Sequence, residues 1–372
     1  MSGSVIKRIN YVTNIPSDVT SGGWTGINAE VYQNLATRFE TRYVGPINPG
    51  INAGAKLISK LNRLSGRKGA YFFFSQSRLQ AIASLLEEQM DKQADFDFFH
   101  GITPWIGYKS PRPYCFYTDA CFSNYMDVYH VRSQFSGLER ICEEEANWIK
   151  GAHRAFFGTQ WALEQTLEAY SIPRGNLEVV GLGGHIPIPQ IDEYQGGYEF
   201  LFVSLDFERK GGHLCIEAFQ RVRNQFPDAR LTLLGTEPPQ SILSVPGVVY
   251  EGYLRKTVPQ ELRKLQQIFA RAFALIHPTS TDIAPLVIVE AGYFGCPAIA
   301  SRSFSIPELV IDGITGYLVT PPLHAEDFAE RMIMMCSSPT SYKTMRQEVR
   351  SYTTQKLVWS NVAERMKKSM VS

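Results

Sequence analysis

The sequence predicts an α/β fold of two doubly wound, Rossmann-like domains facing across a cleft. Its 372 residues are too many for one hydrophobic core, since a domain usually holds about 100–200 residues. Short β-rich runs alternate with amphipathic segments, as a parallel sheet covered by helices requires. The alternation occurs twice, on either side of a segment with two prolines and two glycines. We therefore predict a first domain (1–184), a linker (185–198), a second domain (199–352) and a C-terminal helix (353–372) that packs back on the first domain.

The individual elements follow from local patterns. In the first half, strands are predicted at Ile6–Val12, Arg42–Val44, Ala70–Phe74, Phe96–Phe99, Pro113–Tyr117, Ala155–Gly158 and Leu177–Val180. Helical periodicity between them predicts helices at Gly26–Phe39, Ser77–Met90, Leu138–Lys150 and Trp161–Tyr170. The second half has strands at Phe200–Val203, Leu231–Leu234, Val248–Tyr250, Phe273–His277 and Ala298–Ala300, with helices at 212–226, 259–270 and 286–295. An amphipathic tail, Leu357–Ser369, predicts the last helix.

Composition excludes several classes of protein. Lys and Arg number 37 and Asp and Glu 36, a balance that lacks the field of a dedicated nucleic-acid binder. The first residues carry no apolar signal segment, and the apolar stretch Phe269–Ile276 is too short to cross a bilayer. The six cysteines show no pairing or metal-ligand spacing. We expect a cytoplasmic protein that binds no nucleic acid.

The segment Phe200–Gly212 has the pattern of an anion site. A buried strand runs into a charged turn, and two glycines precede a helix whose free N-terminal amides favour a phosphate. Arg209 and Lys210 would add positive charge there. A solvated turn with two surface cations is the alternative. The position at the carboxyl end of the first strand of the second domain favours the anion site.

A second segment, Ala274–Ser301, places two acids after a strand. Asp282 lies in the loop, Pro285 suits the first turn of the next helix, and Glu290 falls within that helix. The amides of Leu286 and Val287 could donate to a phosphate. Viewed alone, Asp282 could equally be an acid of a surface loop, and Glu290 a helix residue that pairs with a neighbouring lysine.

These motifs resemble retaining glycosyltransferases of the GT-B fold, family 4 type. That family carries two acids separated by seven residues, which Asp282 and Glu290 match, then a Gly-x-Pro turn at Gly295–Pro297 and the segment Ile306–Val319. The turn ERKGG is similar to the family's phosphate clamp. The similarity covers nearly the whole chain and is most specific from Phe200 to Val319.

The resemblance implies roles for particular residues. Those that would hold the donor diphosphate, ribose and sugar are Arg209, Lys210, Asp282, Pro285, Leu286, Val287 and Glu290. Those at the family's glycine loop and base-contacting turn are Gly22 and Gly23, after Ser21, and Tyr253 and Leu254. The first-domain candidates for contacting the sugars are His100 and Asp119, for which a buried structural histidine and an Asx turn are the alternatives.

The resemblance further implies sugar transfer from a nucleotide diphosphate sugar, with retained configuration, to a hydroxyl acceptor such as a saccharide, a lipid-linked saccharide or another glycoconjugate. No metal or other cofactor is implied. A nucleotide-sugar epimerase or hydrolase of the same fold, and a non-catalytic nucleotide-sugar-binding partner protein, are the alternatives. The sequence departs from the family at four places. Leu205 replaces an Arg, Asp282 replaces a Glu, Asp119 replaces a His, and Phe304-Ser305 replaces a Gly-Gly pair.

Two other features bear on function. Asp95 and Asp97 form the Asp-x-Asp pattern with which another glycosyltransferase fold binds metal, but we interpret Asp97 as a strand residue that precedes His100. The run 56–68 has five cations, with Leu57, Ile58, Leu61 and Leu64 at helical spacing. Such a helix suits either an anionic membrane surface, and so a peripheral location at the inner face of the membrane, or burial of its apolar face against the protein.

Overall fold

The computed structural model describes residues 7–17, 22–51 and 53–372. Ile6 of the first predicted strand and Ser21 of the glycine turn lie outside these residues. The described chain divides into two units. The first contains the residues up to Gly181, apart from Gly22 and Gly23, together with Trp359–Ser372. The second contains Gly22, Gly23 and Leu182–Val358.

The first unit alternates strands and helices along the chain. Its elements are β1 (Arg8–Val12), α1 (Trp24–Ala36), β2 (Glu40–Val44), α2 (Ala53–Leu64), β3 (Gly69–Ala70), α3 (Gln76–Gln89), β4 (Phe96–His100), β5 (Tyr114–Thr118), α4 (Phe122–Tyr129), β6 (Phe135–Ser136), α5 (Leu138–Gly151), β7 (Arg154–Phe157), α6 (Gln160–Tyr170) and β8 (Leu177–Val179). Within the described ranges, six of these strands form a parallel sheet in the order β2-β1-β4-β5-β7-β8. The strands of this sheet carry buried aromatic residues such as Phe98, Phe116 and Phe156, which belong to the core of the unit.

The second unit repeats this architecture. Its elements are β9 (Glu199–Ser204), α7 (Gly212–Arg223), β10 (Arg230–Gly235), α8 (Gln240–Leu243), β11 (Val248–Tyr250), α9 (Pro259–Arg271), β12 (Ala274–His277), α10 (Leu286–Tyr293), β13 (Ala298–Ser301), α11 (Ile306–Leu309), β14 (Gly316–Val319), α12 (Ala325–Cys336) and α13 (Pro339–Lys356). The strands form a parallel sheet in the order β11-β10-β9-β12-β13-β14. This is the order of a dinucleotide-binding Rossmann domain, with the reversal between β9 and β12. The predicted fold class, α/β with two Rossmann-like halves, is confirmed.

The last helix, α14 (Trp359–Met370), belongs to the first unit. It packs against α1, and Arg38 pairs with Glu364 at 3.2 Å. Arg365 donates to the carbonyl of Val180 at 2.8 Å. The break between the units therefore falls at 358/359, whereas the sequence-based boundary at 352/353 falls inside α13.

The segment that leads into the second unit is irregular but held in place. Arg346 of α13 donates to both oxygens of Asp192, at 2.6 and 2.8 Å. Arg350 donates to the carbonyl of Pro189 at 2.6 Å. The predicted linker, 185–198, is therefore packed against the second unit.

The aromatic run Ala70–Phe74 differs from its prediction as a strand. Extended pairing stops at Ala70, and Phe72–Phe74 form a 3-10 turn. Tyr71 and Phe74 instead pack beside Phe122 in a small separate cluster. A hydrophobic run alone does not show which apolar cluster its side chains will join, and here a local cluster replaces the main sheet.

Candidate functional site

The candidate site lies at the carboxyl ends of β9 and β12, where the strand order of the second sheet reverses. Open parallel sheets bind ligands at this position, because the loops that follow neighbouring strands diverge there. β9 leads through Asp206 and Lys210 to α7, and β12 leads through Asp282 to α10. The two segments that sequence analysis selected are thus brought together by the topology of one sheet.

Gly211 fixes the distance between these two loops. Its φ is +80°, and a Cβ there would lie 2.1 Å from the carbonyl oxygen of Pro278. The hydroxyl of Thr281 donates to the carbonyl of Arg209 at 3.1 Å, which ties the loops together a second time. Only glycine fits so close an approach in a left-handed conformation. The glycines after Lys210 therefore set the position of that lysine.

Lys210 and Asp282 form a partly buried ion pair. The lysine Nζ lies 2.7 Å from Asp282 Oδ2 and donates to the carbonyl of Thr281 at 3.0 Å. His277, the last residue of β12, places Nε2 3.3 Å from the same carboxylate oxygen. Burial by itself raises the pKa of Asp282, but His277 and Lys210 outweigh burial and lower that pKa below its usual value. Asp282 is therefore ionised at neutral pH.

Glu290 forms a second ion pair, with a lysine from another loop. Lys256, between β11 and α9, places Nζ 2.5 Å from Glu290 Oε1. The backbone amide of His185 donates to the same oxygen at 2.9 Å. A Cβ on Gly184 would come within 2.9 Å of Glu290 Cγ, so glycine allows this segment to approach the helix. The buried carboxylate is held by two donors from outside its own helix.

The remaining second-unit candidates lie at the start of α10, on the loop after β11 and in the turn before α1. Pro285 is the N-cap residue of α10, so Leu286 and Val287 begin the helix and their amides have no intrahelical acceptor. Tyr253 is exposed and Leu254 partly exposed on the loop after β11. Gly23 has φ +67°, and a Cβ on Gly22 would lie 3.8 Å from Lys256 Nζ.

Arg209 differs from its neighbour Lys210. Its side chain is 49% exposed and lies 3.9 Å from Asp206, three residues earlier. The side chain of Lys256 is only 15% exposed and faces Glu290. Lys256 is therefore better buried than Arg209, although Arg209 is the neighbour of Lys210 in the sequence.

The first-unit candidates lie at the carboxyl edge of their own sheet. His100 ends β4, and Asp119 follows β5, its neighbour in the sheet. The His100 ring is buried and stacks on Trp24 with ring centroids 4.0 Å apart. Burial lowers the pKa of His100 to about 3. The imidazole is therefore neutral at physiological pH and can act through hydrogen bonding but not through charge.

The Asp-x-Asp pair has structural partners. The fully buried Asp97 accepts from Asn10, Ser110 and Arg112 at 2.9, 2.6 and 2.8 Å. Asp95 accepts from the backbone amide of Arg8 at 2.8 Å. Across residues 7–17, 22–51 and 53–372, no three His, Cys, Asp or Glu side chains are grouped as for a metal. In the same ranges, every helix is too short or too polar to cross a bilayer.

Comparison with known proteins finds a family similarity in the second unit. Residues 188–352 match the family described as glycosyl transferases group 1. The matched residues all lie in the second unit and make up less than half of the chain. A 120-residue part of the chain is also 33% identical to the GDP-mannose-dependent alpha-(1-6)-phosphatidylinositol monomannoside mannosyltransferase of Mycolicibacterium smegmatis. That match covers 30% of this chain and 31% of the mannosyltransferase, so it spans less than a third of either protein.

Solved structures extend the similarity in fold beyond the residues that match this family. Sucrose-phosphate synthase from Thermosynechococcus elongatus superposes with a TM-score of 0.68 at 16% identity, covering 98% of both chains. Alr3699/HepE of Anabaena, solved in complex with UDP, has a TM-score of 0.68 at 14% identity, covering 99% of this chain and all of its own. The fold is that of GT-B glycosyltransferases.

Sequence analysis missed two residues of the site, Lys256 and His277. His277 is the last residue of a predicted strand, a position that could have suggested it. Lys256 follows Tyr253 and Leu254, but it lies 34 residues from Glu290 in sequence and on a different element. No local pattern reveals such a pair.

Proposed function

We propose that this protein is a glycosyltransferase that moves a sugar from a nucleotide diphosphate sugar to a hydroxyl acceptor with retained configuration. The observation that carries the proposal is the pair of acid–lysine contacts, Lys210 with Asp282 and Lys256 with Glu290, within the residues that match the group 1 family. Both lie at the crevice position of a Rossmann sheet. Two partly buried lysines beside a helix N-terminus suit a diphosphate.

The chemistry requires stabilisation of the leaving group. Cleavage of the bond between C1 and the diphosphate oxygen leaves negative charge on the diphosphate. Lys210 and the first-turn amides of α10 would stabilise that charge, since donors already in place need no reorganisation during the reaction. Asp282 would hold Lys210 in position and accept from the donor sugar. Glu290 would accept from the ribose hydroxyls.

We assign the second positive charge of the clamp to Lys256. The sequence predicts Arg209 for this role, because Leu205 stands where the family has an arginine. Arg209 is half exposed beside Asp206, whereas Lys256 is mostly buried against the carboxylate proposed to bind ribose. A charge shielded from water acts more strongly on a nearby phosphate. Lys256 thus replaces the missing arginine from a different loop.

The donor nucleotide can be identified by thermal shift. UDP, GDP and ADP would each be added to the full chain, and a nucleotide at 100 times its Kd stabilises the folded state by about 2.7 kcal/mol. One base should raise the midpoint more than the other two. No shift with any nucleoside diphosphate would contradict the proposal.

Turnover tests distinguish the alternatives. Sugar transfer should require a hydroxyl acceptor, and the anomeric configuration of the product can be read by nuclear magnetic resonance. Full-rate nucleotide release without acceptor would indicate a hydrolase or epimerase. Nucleotide binding without turnover under any acceptor would indicate a binding protein.

The proposal also includes turnover without a divalent metal, because Lys210, Lys256 and the first-turn amides of α10 would donate directly to the diphosphate. Excess chelator should therefore leave the rate unchanged. A loss of activity that added Mg²⁺ or Mn²⁺ restores would show that the lysines do not suffice.

A further inference from the structure

Helix α2 carries its apolar side chains on the side that faces away from the protein. Leu57, Ile58, Leu61 and Leu64 are 58, 61, 55 and 75% exposed. Leu57, Leu61 and Leu64 follow the i, i+4, i+7 spacing that aligns side chains along one face of a helix. An amphipathic helix that packed on its own protein would bury these residues instead. The alternative stated for residues 56–68, burial of the apolar face, is wrong.

The inner side of α2 is instead small and polar. Ser59 is buried, and its hydroxyl donates to the carbonyl of Ala70 at 2.9 Å. A Cβ on Gly69 would lie 2.5 Å from Ser59 Oγ, so α2 and β3 are in close contact. Ser59 lies roughly opposite the leucines on the helix. The leucine stripe is therefore held outward by the packing of the small residues.

The sequence on both sides of α2 carries charge of one sign only. From Thr41 to Leu86 the sequence contains seven Lys and Arg residues and no Asp or Glu. The other 326 residues contain 30 cations and 36 acids, so they carry a net charge of −6. A near-neutral protein thus has a local excess of positive charge in one segment. Lys56, Lys60 and Lys68 are among its exposed cations.

We propose that α2 docks the protein on an anionic lipid surface, with the leucine stripe inserted among the acyl chains and the lysines on the head groups. Exposed apolar area supplies the insertion, and each cation near such a surface contributes attraction. A nucleic acid would match the charge but not the four apolar side chains between the cations. A second copy of the chain would bring two sets of like charges together. The lipid surface satisfies both features.

The test is co-sedimentation of the full chain with vesicles of phosphatidylcholine, with and without phosphatidylglycerol. The wild type should bind the anionic vesicles, and binding should weaken as salt screens the lysines. The variant L57Q/L61Q/L64Q should lose binding at every salt concentration. Its thermal midpoint and its nucleotide binding should stay unchanged, because these leucines are exposed in α2 of the first unit.

Charge variants sharpen the result. K56Q/K60Q/K68Q should bind anionic vesicles about 10²-fold more weakly, at about fivefold for each cation removed. The control R230Q/R263Q/K343Q removes the same charge from exposed positions of the second unit and should bind as the wild type does. Equal loss in both variants would show that net charge alone governs binding and would overturn the docking surface.

Two further outcomes would overturn the proposal. One is a leucine variant that sediments with anionic vesicles as well as the wild type does. The other is a leucine variant that changes the oligomeric state while vesicle binding is absent in both proteins. Heparin binding gives a third outcome of this kind, because heparin serves as the comparison for a nucleic-acid site. Equal binding of heparin by the wild type and the leucine variant, with no vesicle binding by either, would assign the segment to a soluble polyanion. Each outcome is independent of sugar transfer.

Discussion

The carboxyl edges of the two sheets differ in charge. In the second unit, each of the proposed donor-binding acids faces a partly buried lysine. In the first unit, the buried candidate His100 stacks on Trp24 and has its pKa lowered to about 3. The same architecture therefore presents two lysine–carboxylate pairs at one edge, and a neutral imidazole beside the loop of Asp119 at the other. Binding of an anionic donor is expected to depend on the second edge.

The largest expected effect is on turnover when the clamp lysine is removed. Lys210→Ala should lower kcat by about 10²-fold or more, because it removes a preorganised positive charge from the leaving diphosphate. The exposed Lys343→Ala is the matched control and should keep the wild-type rate. Wild-type turnover by the Lys210 variant would remove the charged edge from the mechanism.

Removal of the close approach between the loops should cost stability. Gly211→Ala combines a left-handed conformation with a clash against Pro278 and should lower the free energy of unfolding by more than about 2 kcal/mol. Gly313 has a similar φ, +77°, with nothing within 4 Å of a Cβ, so Gly313→Ala should cost about 1 kcal/mol. Chemical denaturation measures both. Equal losses would show that the contact with Pro278 contributes nothing.

The two candidates for the second cation can be separated directly. Lys256→Ala should weaken nucleoside diphosphate binding by about tenfold, in the range of a charge-assisted contact. Arg209→Ala should change it by less than threefold, because the exposed side chain is screened by water. Titration calorimetry with the preferred nucleotide gives both values. The reverse order would return the role to Arg209.

The neutral histidine of the first unit makes a prediction about pH. The unfolded chain takes up a proton on His100 below its ordinary pKa of about 6.5, whereas the folded chain does not until about pH 3. Stability is therefore lost as pH falls through this interval, by about 2 kcal/mol between pH 7 and pH 5. His100→Asn should remove that share of the loss in chemical denaturation at the two pH values. The exposed His324→Asn serves as the control. An unchanged pH dependence in the His100 variant would contradict a buried neutral imidazole.

The sequence by itself determined the two Rossmann-like halves and most of their strands, because hydrophobic periodicity and turn residues act locally. It also selected Lys210, Asp282 and Glu290. Lys210 and Asp282 follow predicted strands and Glu290 lies in a predicted helix, so their positions follow from the order of elements along the chain. It placed a strand over Ala70–Phe74, where an aromatic cluster formed a turn instead.

Tertiary structure alone decided which charges meet. Lys256 reaches Glu290 because β11 and β12 lie in one sheet with their carboxyl ends on the same side, so the loop after β11 and the helix after β12 converge. The outward direction of the α2 leucines is likewise fixed by the contact between Ser59 and Gly69. Helical spacing places side chains on one face, but only packing determines which face the protein covers.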